Sequence, residues 1–533
     1  MSSENERNPA WMTWFEGGAV VLIHAVLALL LTPIAMQRSA YPDSGTALSI
    51  SRKLADGDWR PLWDTQSPLL QDGTYALLLK FGWSGASGWV IAGSTLALAM
   101  LLGWITYKAT GVIAAAGLPA AILLFSNAVW LQTGYVTFYA PFVVLGYAGI
   151  GLALAYQIKG AHLRYGIFGA LLLAVSLHAY TTALVFLTVP AIALLCFSSR
   201  AVARRTALLY AAIAFLTLPW FAWHIMVGGL DHLYYQPLNW FTEKHLLVVN
   251  EEFWHYPSES FTAYARAMLE VGGRDILPSY LLVLAVPGLI GVRQALGNRS
   301  AVFCLTCFGA YLAVLAITRP SPFARYYFPV IPLVILVVAA GVLAVANRLT
   351  SASFQLCPPP ERHNRTSGAI ALVIIAVALA SLVGLSSAVA DARHGFVDRL
   401  HTSPGYRDIT AMAPLIAASE GGVIARDSAV QPFVPDNQVY THFLLTEEEY
   451  ATFLSWPDDA EAVRVLRAHS IDWVLLRNDI RWERDYHVWL TVEYGLQPQH
   501  YARVAVSPNF ELVYSGSVYT LYRLRSSSTG LSR

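Results

Sequence analysis

Charged residues are scarce in this chain. Asp, Glu, Lys and Arg make up 13% of its 533 residues, about half the share of a soluble globular domain, which excludes a fold surrounded entirely by water. A net charge of +1 and a pI near 7.8 give no sign of a nucleic-acid partner, and leave electrostatics to be read loop by loop. The four cysteines, Cys196, Cys304, Cys307 and Cys357, are too few for a disulfide framework. Cys304 and Cys307 have C-x-x-C spacing, but they sit inside an apolar run, where packing is favoured over metal or redox chemistry.

Apolar residues fill the place of the missing charge: 56% of the chain is hydrophobic and its mean hydropathy is +0.48. At roughly 20 apolar residues per crossing, the sequence predicts an all-α membrane bundle of about eleven spans over residues 1–390. The spans fall at 18–36, 88–107, 111–125, 135–156, 165–177, 183–197, 207–227, 277–292, 302–317, 328–346 and 369–389. The first reads as a retained signal-anchor, because no small-x-small cleavage pattern follows it.

Basic residues set the expected topology. With the N-terminus in the cytoplasm, the inner loops collect Lys108, Lys159, Arg164, Arg200, Arg204, Arg205, Arg293, Arg299, Arg348, Arg362 and Arg365, with Glu361 as their only acid. A first loop (37–86), a large loop (228–276) and a C-terminal segment (391–533) are then outside. The sequons at Asn298 and Asn364 face inward in this arrangement and should carry no glycan. The stretch 351–367, with its proline triplet, reads as a polar linker.

Beyond the last span the composition becomes that of a soluble protein. Strand-like runs at 422–425, 471–476, 510–514 and 519–523 alternate with helical patterns at 447–454, 460–469 and 485–494. They predict a compact extracytoplasmic α/β domain. It contains no glycine-rich phosphate loop, metal motif or nucleophile elbow.

The stretch 37–82 is the most informative polar segment. Ala47, Ile50, Ser51 and Leu54 follow helical spacing, with Arg52, Lys53 and Asp56 elsewhere on the turn, which predicts an amphipathic helix in the membrane interface. Asp43 stands at its entrance. Two roles fit an acid there: an N-cap, or a general base at the water-facing mouth of the bundle. Other external polar groups are candidates for substrate binding: Asp64 and Gln66 in the same loop, Tyr139 after the third span, His178 after the fifth, and Glu251, Glu252 and His255 in the large loop, with Arg319 and Arg325 before the tenth span. Each also has a bland role: Arg325 can snorkel to headgroups, a lone His255 can be structural, and Tyr326 and Tyr327 can belong to an interface belt.

The Pro42-Asp43-Ser44-Gly45 opening, Ser67-Pro68-Leu69, Tyr75 to Leu79, the segment Arg325 to Pro332 and the small external domain at the end together resemble the GT-C superfamily of polytopic glycosyltransferases. The resemblance implies a GT-C-like bundle, a polyprenyl-phosphate sugar donor, and a glycan, lipid or protein acceptor outside the cytoplasm. It further implies a hexosyl or pentosyl transferase of the cell envelope, in a bacterial inner membrane. Position by position, Asp43 matches the first-loop carboxylate, and Arg325 with Tyr326 and Tyr327 matches the donor-phosphate contact. His255 matches a histidine of the large external loop. Ser44 stands where many members carry a second acid, so no metal ligand is assigned and a divalent cofactor stays open. One base near the acceptor and one cation near the leaving phosphate suffice for direct, inverting displacement. A transporter or flippase of a lipid-linked or anionic glycan is the alternative, and a non-catalytic assembly subunit a third; the odd span count and the lack of an internal repeat weigh against transport.

Overall fold

Long runs of Ala, Leu, Val and Ile without polar punctuation satisfy their backbone internally as helices, the arrangement a bilayer requires. In the computed structural model of the chain they do so. It describes residues 10–36, 42–59, 69–134, 139–179, 183–234, 276–318, 328–353, 359–382, 404–425, 429–440, 444–445, 449, 459–478 and 499–525.

Helix α1 (Ala10–Met36) is followed by α2 (Pro42–Ala55), α3 (Leu69–Lys80) and α4 (Ser87–Thr110). A 3-10 turn at Ala114–Gly117 leads into α5 (Leu118–Leu123) and then α6 (Asn127–Gly134). Next come α7 (Tyr139–Gln157), α8 (Leu163–Ala179), α9 (Leu184–Cys196) and α10 (Arg200–Tyr234). A single turn at Ser279–Leu282 precedes α11 (Ala285–Leu296), α12 (Asn298–Thr318), α13 (Ile331–Ser353) and α14 (Pro359–Leu382).

Helices thus occupy the positions of the expected spans, but their lengths differ. Among the described residues five stretches, Ala10–Pro33, Ser87–Thr110, Tyr139–Gln157, Arg200–Pro219 and Ile331–Thr350, are long and apolar enough to cross a membrane. Five others, such as Leu163–Ala179 and Thr366–Leu382, are shorter apolar helices. These lengths and apolar surfaces are those of a multi-pass membrane protein. Two expectations change. The 351–367 stretch is not all linker, because α14 begins at Pro359, a residue whose fixed φ suits the first helical position. Helix α10 also runs seven residues into the 228–276 loop, ending at Tyr234.

Small residues let the helices approach. A Cβ on Gly149 of α7 would lie 2.9 Å from Leu173 Cγ, and one on Gly169 of α8 would lie 2.8 Å from Ala153 N. Between α11 and α13 the approach is closer: a Cβ on Gly288 would meet Val337 O at 2.0 Å, and one on Gly341 would meet Leu284 O at 1.9 Å. Lipid tails are as apolar as leucine, so such backbone-to-backbone packing rather than water exclusion joins the helices. One continuous core runs through the bundle, from Ile23 and Leu27 on α1 past Leu98 and Leu102 on α4 to Phe142 on α7 and Ile335 on α13.

The C-terminal residues form an α/β sheet layer. Helix α15 (Pro404–Ala417) precedes β1 (Gly422–Ala425) and β2 (Val439–Tyr440); α16 (Asp459–Ala468) precedes β3 (Ile471–Arg477); and α17 (Gln499–Val506) precedes β4 (Phe510–Ser515) and β5 (Tyr519–Leu524). The strand order is β2-β1-β3-β5-β4. Strands β2, β1 and β3 run parallel, and β5 is antiparallel to both of its neighbours, β3 and β4. Alternation along β3 sends Val474 and Leu476 to the face covered by Ala462 and Leu466 of α16, and Trp473 and Leu475 to the face covered by Ile409, Met412 and Ile416 of α15. The expected helical patterns at 447–454 and 485–494 lie outside the described residues, apart from Glu449.

Candidate functional site

Helix α2 starts at Pro42, so Asp43 is its second residue rather than the cap before it. The apolar face read from the sequence is real: Ala47, Ile50 and Leu54 are all buried. Its surroundings differ from the expected lipid interface. Ala47 joins the bundle core, while Ile50 and Leu54 pack with Ala76 of α3 and with Leu69 and Leu444.

Helix α3 packs along α2 and also touches α8. It buries Gln71, Asp72, Tyr75 and Ala76, the stripe that one helical face produces. Asp72 is fully buried, with Gln71 Nε2 donating to its Oδ1 at 3.4 Å. Burial, and secondarily the charge of Asp72, pushes the Tyr75 hydroxyl well above its ordinary range. Asp72 is an acid that the sequence reading passed over; the available signal was its place one turn before Tyr75 on an apolar helix. His178 is the next-to-last residue of α8 and is half-buried.

A second anchor forms around α7. Tyr139, its first residue, is buried with its ring edge-on to Phe142 at 5.9 Å and to Phe328 at 6.0 Å. The Tyr147 hydroxyl donates to Pro329 O at 2.8 Å, and Ser176 Oγ of α8 donates to Phe142 O at 2.8 Å. The turn at 328–330 is therefore fixed to the start of α7, and Arg325, Tyr326 and Tyr327 directly precede it in the chain. Nearby in the same bundle, the buried hydroxyls of Thr95 and Thr133 bond at 3.0 Å and tie α4 to α6.

The polar face of α2 meets the sheet domain. Ser49 Oγ donates to Gln431 Oε1 at 2.9 Å, Gln438 Nε2 donates to Ser49 O at 3.3 Å, and Arg52 Nη1 donates to Pro435 O. Lys53 Nζ lies 4.8 Å from the centre of the Tyr440 ring and 3.3 Å from its hydroxyl. Arg52 and Lys53 thus have a structural destination that local sequence does not reveal.

The structure brings Asp43, Asp72 and Tyr75 onto the paired helices α2 and α3, and Tyr139 onto the anchor for the 328–330 turn. The candidates Asp64, Gln66, Glu251, Glu252, His255, Arg325, Tyr326 and Tyr327 lie outside the described residues. Among the described residues no group of three or more His, Cys, Asp or Glu side chains could hold a metal ion. Cys304 and Cys307 lie half-buried in α12.

No protein-family model and no curated protein sequence matches the chain. Its fold is similar to that of several solved structures. ArnT from Cupriavidus metallidurans bound to undecaprenyl phosphate matches with a TM-score of 0.61 at 15% identity, over 97% of this chain and 98% of that one. The apo state of the same protein gives 0.60 at 16%, over 96% and 97%. An Archaeoglobus fulgidus oligosaccharyltransferase, in complex with Zn and sulfate, gives 0.51 at 9%, over 93% of this chain and 72% of that one.

Proposed function

Starting from the GT-C superfamily fold that this chain has, we propose that it is a membrane glycosyltransferase moving a sugar from a polyprenyl-phosphate donor to an extracytoplasmic glycan, lipid or protein acceptor. The observation that carries this reading is the end-to-end likeness to ArnT, a protein captured with undecaprenyl phosphate. The basic inner loops support a cytoplasmic N-terminus and a periplasmic or extracellular sheet domain, as in a bacterial inner membrane.

In the proposed reaction the acceptor hydroxyl oxygen attacks the anomeric carbon while the bond from that carbon to the phosphate oxygen breaks. The hydroxyl proton passes to the Asp43 carboxylate, and polyprenyl phosphate leaves with the electron pair of the broken bond. One attack from the face opposite the leaving group inverts the anomeric centre. Arg325, with Tyr326 and Tyr327, is assigned to the leaving phosphate, since a guanidinium gives forked, charge-assisted hydrogen bonds to phosphate oxygens. The ring of Tyr139 serves this group indirectly by holding the turn that follows it. Glu251, Glu252, His255, Asp64, Gln66 and His178 are assigned to the acceptor side of the cleft.

The test is sugar transfer by purified wild type and Asp43→Asn over a panel of polyprenyl-phosphate sugars and envelope glycans. Loss of a general base lowers turnover about 10²- to 10⁴-fold, and asparagine preserves size and helix-start preference. A fully active folded Asp43→Asn would remove Asp43 from the reaction. Wild-type protein that moves a lipid-linked glycan across vesicles without forming a glycosidic bond would overturn the transferase reading.

A further inference from the structure

Two serines on α2 are equally buried and behave differently. Ser51 Oγ bonds back to Ala47 O of its own helix at 2.6 Å, the usual habit of a helical serine. Ser49, 1% exposed, sends its hydroxyl out of the helix to Gln431, which is 2% exposed. The Gln431 amide is fully used. Its Oε1 accepts from Ser49 Oγ and from Val439 N, both at 2.9 Å, and its Nε2 donates to Val434 O at 3.1 Å and Asn437 O at 2.9 Å.

Asn437 carries the network onward. Its Nδ2 donates to Ser419 O at 2.7 Å and Gly421 O at 2.9 Å, at the junction between α15 and β1. A continuous polar chain therefore runs from the middle of α2 into the backbone of the sheet domain. Satisfied buried networks of this kind rigidify what they join. Arg52 on Pro435 O and Lys53 on Tyr440 add contacts one turn further along the same helix.

We propose that the sheet domain clamps α2, and that Ser49 and Gln431 are the positioning pair of that clamp. Asp43 lies six residues before Ser49 on the same helix, about 9 Å along its axis. A helix held at Ser49 on one side and packed on α3 and the bundle on the other has little freedom to tilt its first turn. The sheet domain then acts on transfer through the pitch of α2, without touching donor or acceptor. This catalytic consequence rests on the proposed role of Asp43; the clamp itself does not.

The experiment compares full-length wild type, Ser49→Ala and Ser51→Ala in nanodiscs, by hydrogen–deuterium exchange over residues 42–55 and by steady-state transfer. Loss of one neutral hydrogen bond corresponds to about a fivefold change. Ser49→Ala is expected to speed exchange in α2 about fivefold and to lower kcat by a similar factor with the donor KM unchanged. Ser51→Ala is expected to stay within about twofold of wild type on both. Gln431→Ala should reproduce the Ser49→Ala effect on α2, and because Gln431 also braces 434–439, Ser49→Ala carries the decision. Unchanged α2 exchange in Ser49→Ala, or an equal increase in Ser51→Ala, would overturn the clamp. A raised donor KM at constant kcat would overturn its positioning role. If wild type shows no transfer, the functional reading fails by itself, and the exchange comparison still decides the clamp.

Discussion

The bundle and the sheet domain bury leucines to the same depth, Leu102 on α4 and Leu466 on α16 both being 0% exposed, yet the two regions are held together differently. In the sheet domain, bulky side chains on both faces leave water on folding: Trp473 and Leu475 on one, Val474 and Leu476 on the other. In the bundle the helices meet closely where side chains are missing, at Gly149 and Gly169 and at Gly288 and Gly341. Removing surface from water stabilises the first region. A bilayer offers no comparable drive between helices, so close backbone approach does that work in the second.

That contrast can be broken in three ways. The largest effect is expected from Leu466→Ala, which should destabilise the sheet domain by roughly 3–4 kcal/mol, transfer and cavity terms together. Leu102→Ala should cost about half as much, because a leucine released from its contacts in the bilayer still has apolar surroundings. Equal losses, measured by denaturant titration in detergent, would erase the distinction. Next, Gly341→Ala places a methyl 1.9 Å from the Leu284 carbonyl oxygen and should lower stability by about 2–3 kcal/mol. Gly93→Ala, with nothing within 4 Å, should be neutral or slightly stabilising. Thermal unfolding of the two variants side by side checks this. The smallest effect is expected from Tyr147→Phe. Losing the bond to Pro329 O should cost about 0.6–1 kcal/mol, with faster exchange confined to the 328–330 turn.

The same contrast explains what could be read in the sequence. Strand β1 falls at 422–425 as expected, and β3, β4 and β5 extend the expected runs by one residue. Alternation and apolar runs are local signals, and these strands carry them. Strand β2 has two residues, too short for any period to show. Helix α15 was legible in principle, since Ile409, Met412, Ala413 and Ile416 keep helical spacing, but its run is broken by Pro414. At the site, the helical character and apolar face of α2 were legible and the docking of its polar face was not. Arg52 and Lys53 look like any basic pair near a membrane until Pro435 and Tyr440 are placed beside them. Asp72 stayed hidden because an acid on a short helix reads as solvated, and only the packing of α3 on α2 and α8 buries it.

The bond between Ser49 and Gln431 joins residues 382 positions apart. A ribosome adding 5–20 residues per second needs about 20–80 s to cover that distance, and α2 must spend that interval without its counterpart. Completion of α2 therefore waits on the later-made sheet domain: until that sheet folds, the helix lacks the partner of its Ser49 side. Pulse-labelled chains should acquire a protected α2 only after the sheet domain becomes protease-resistant, so that the order of synthesis fixes the order in which the two parts settle.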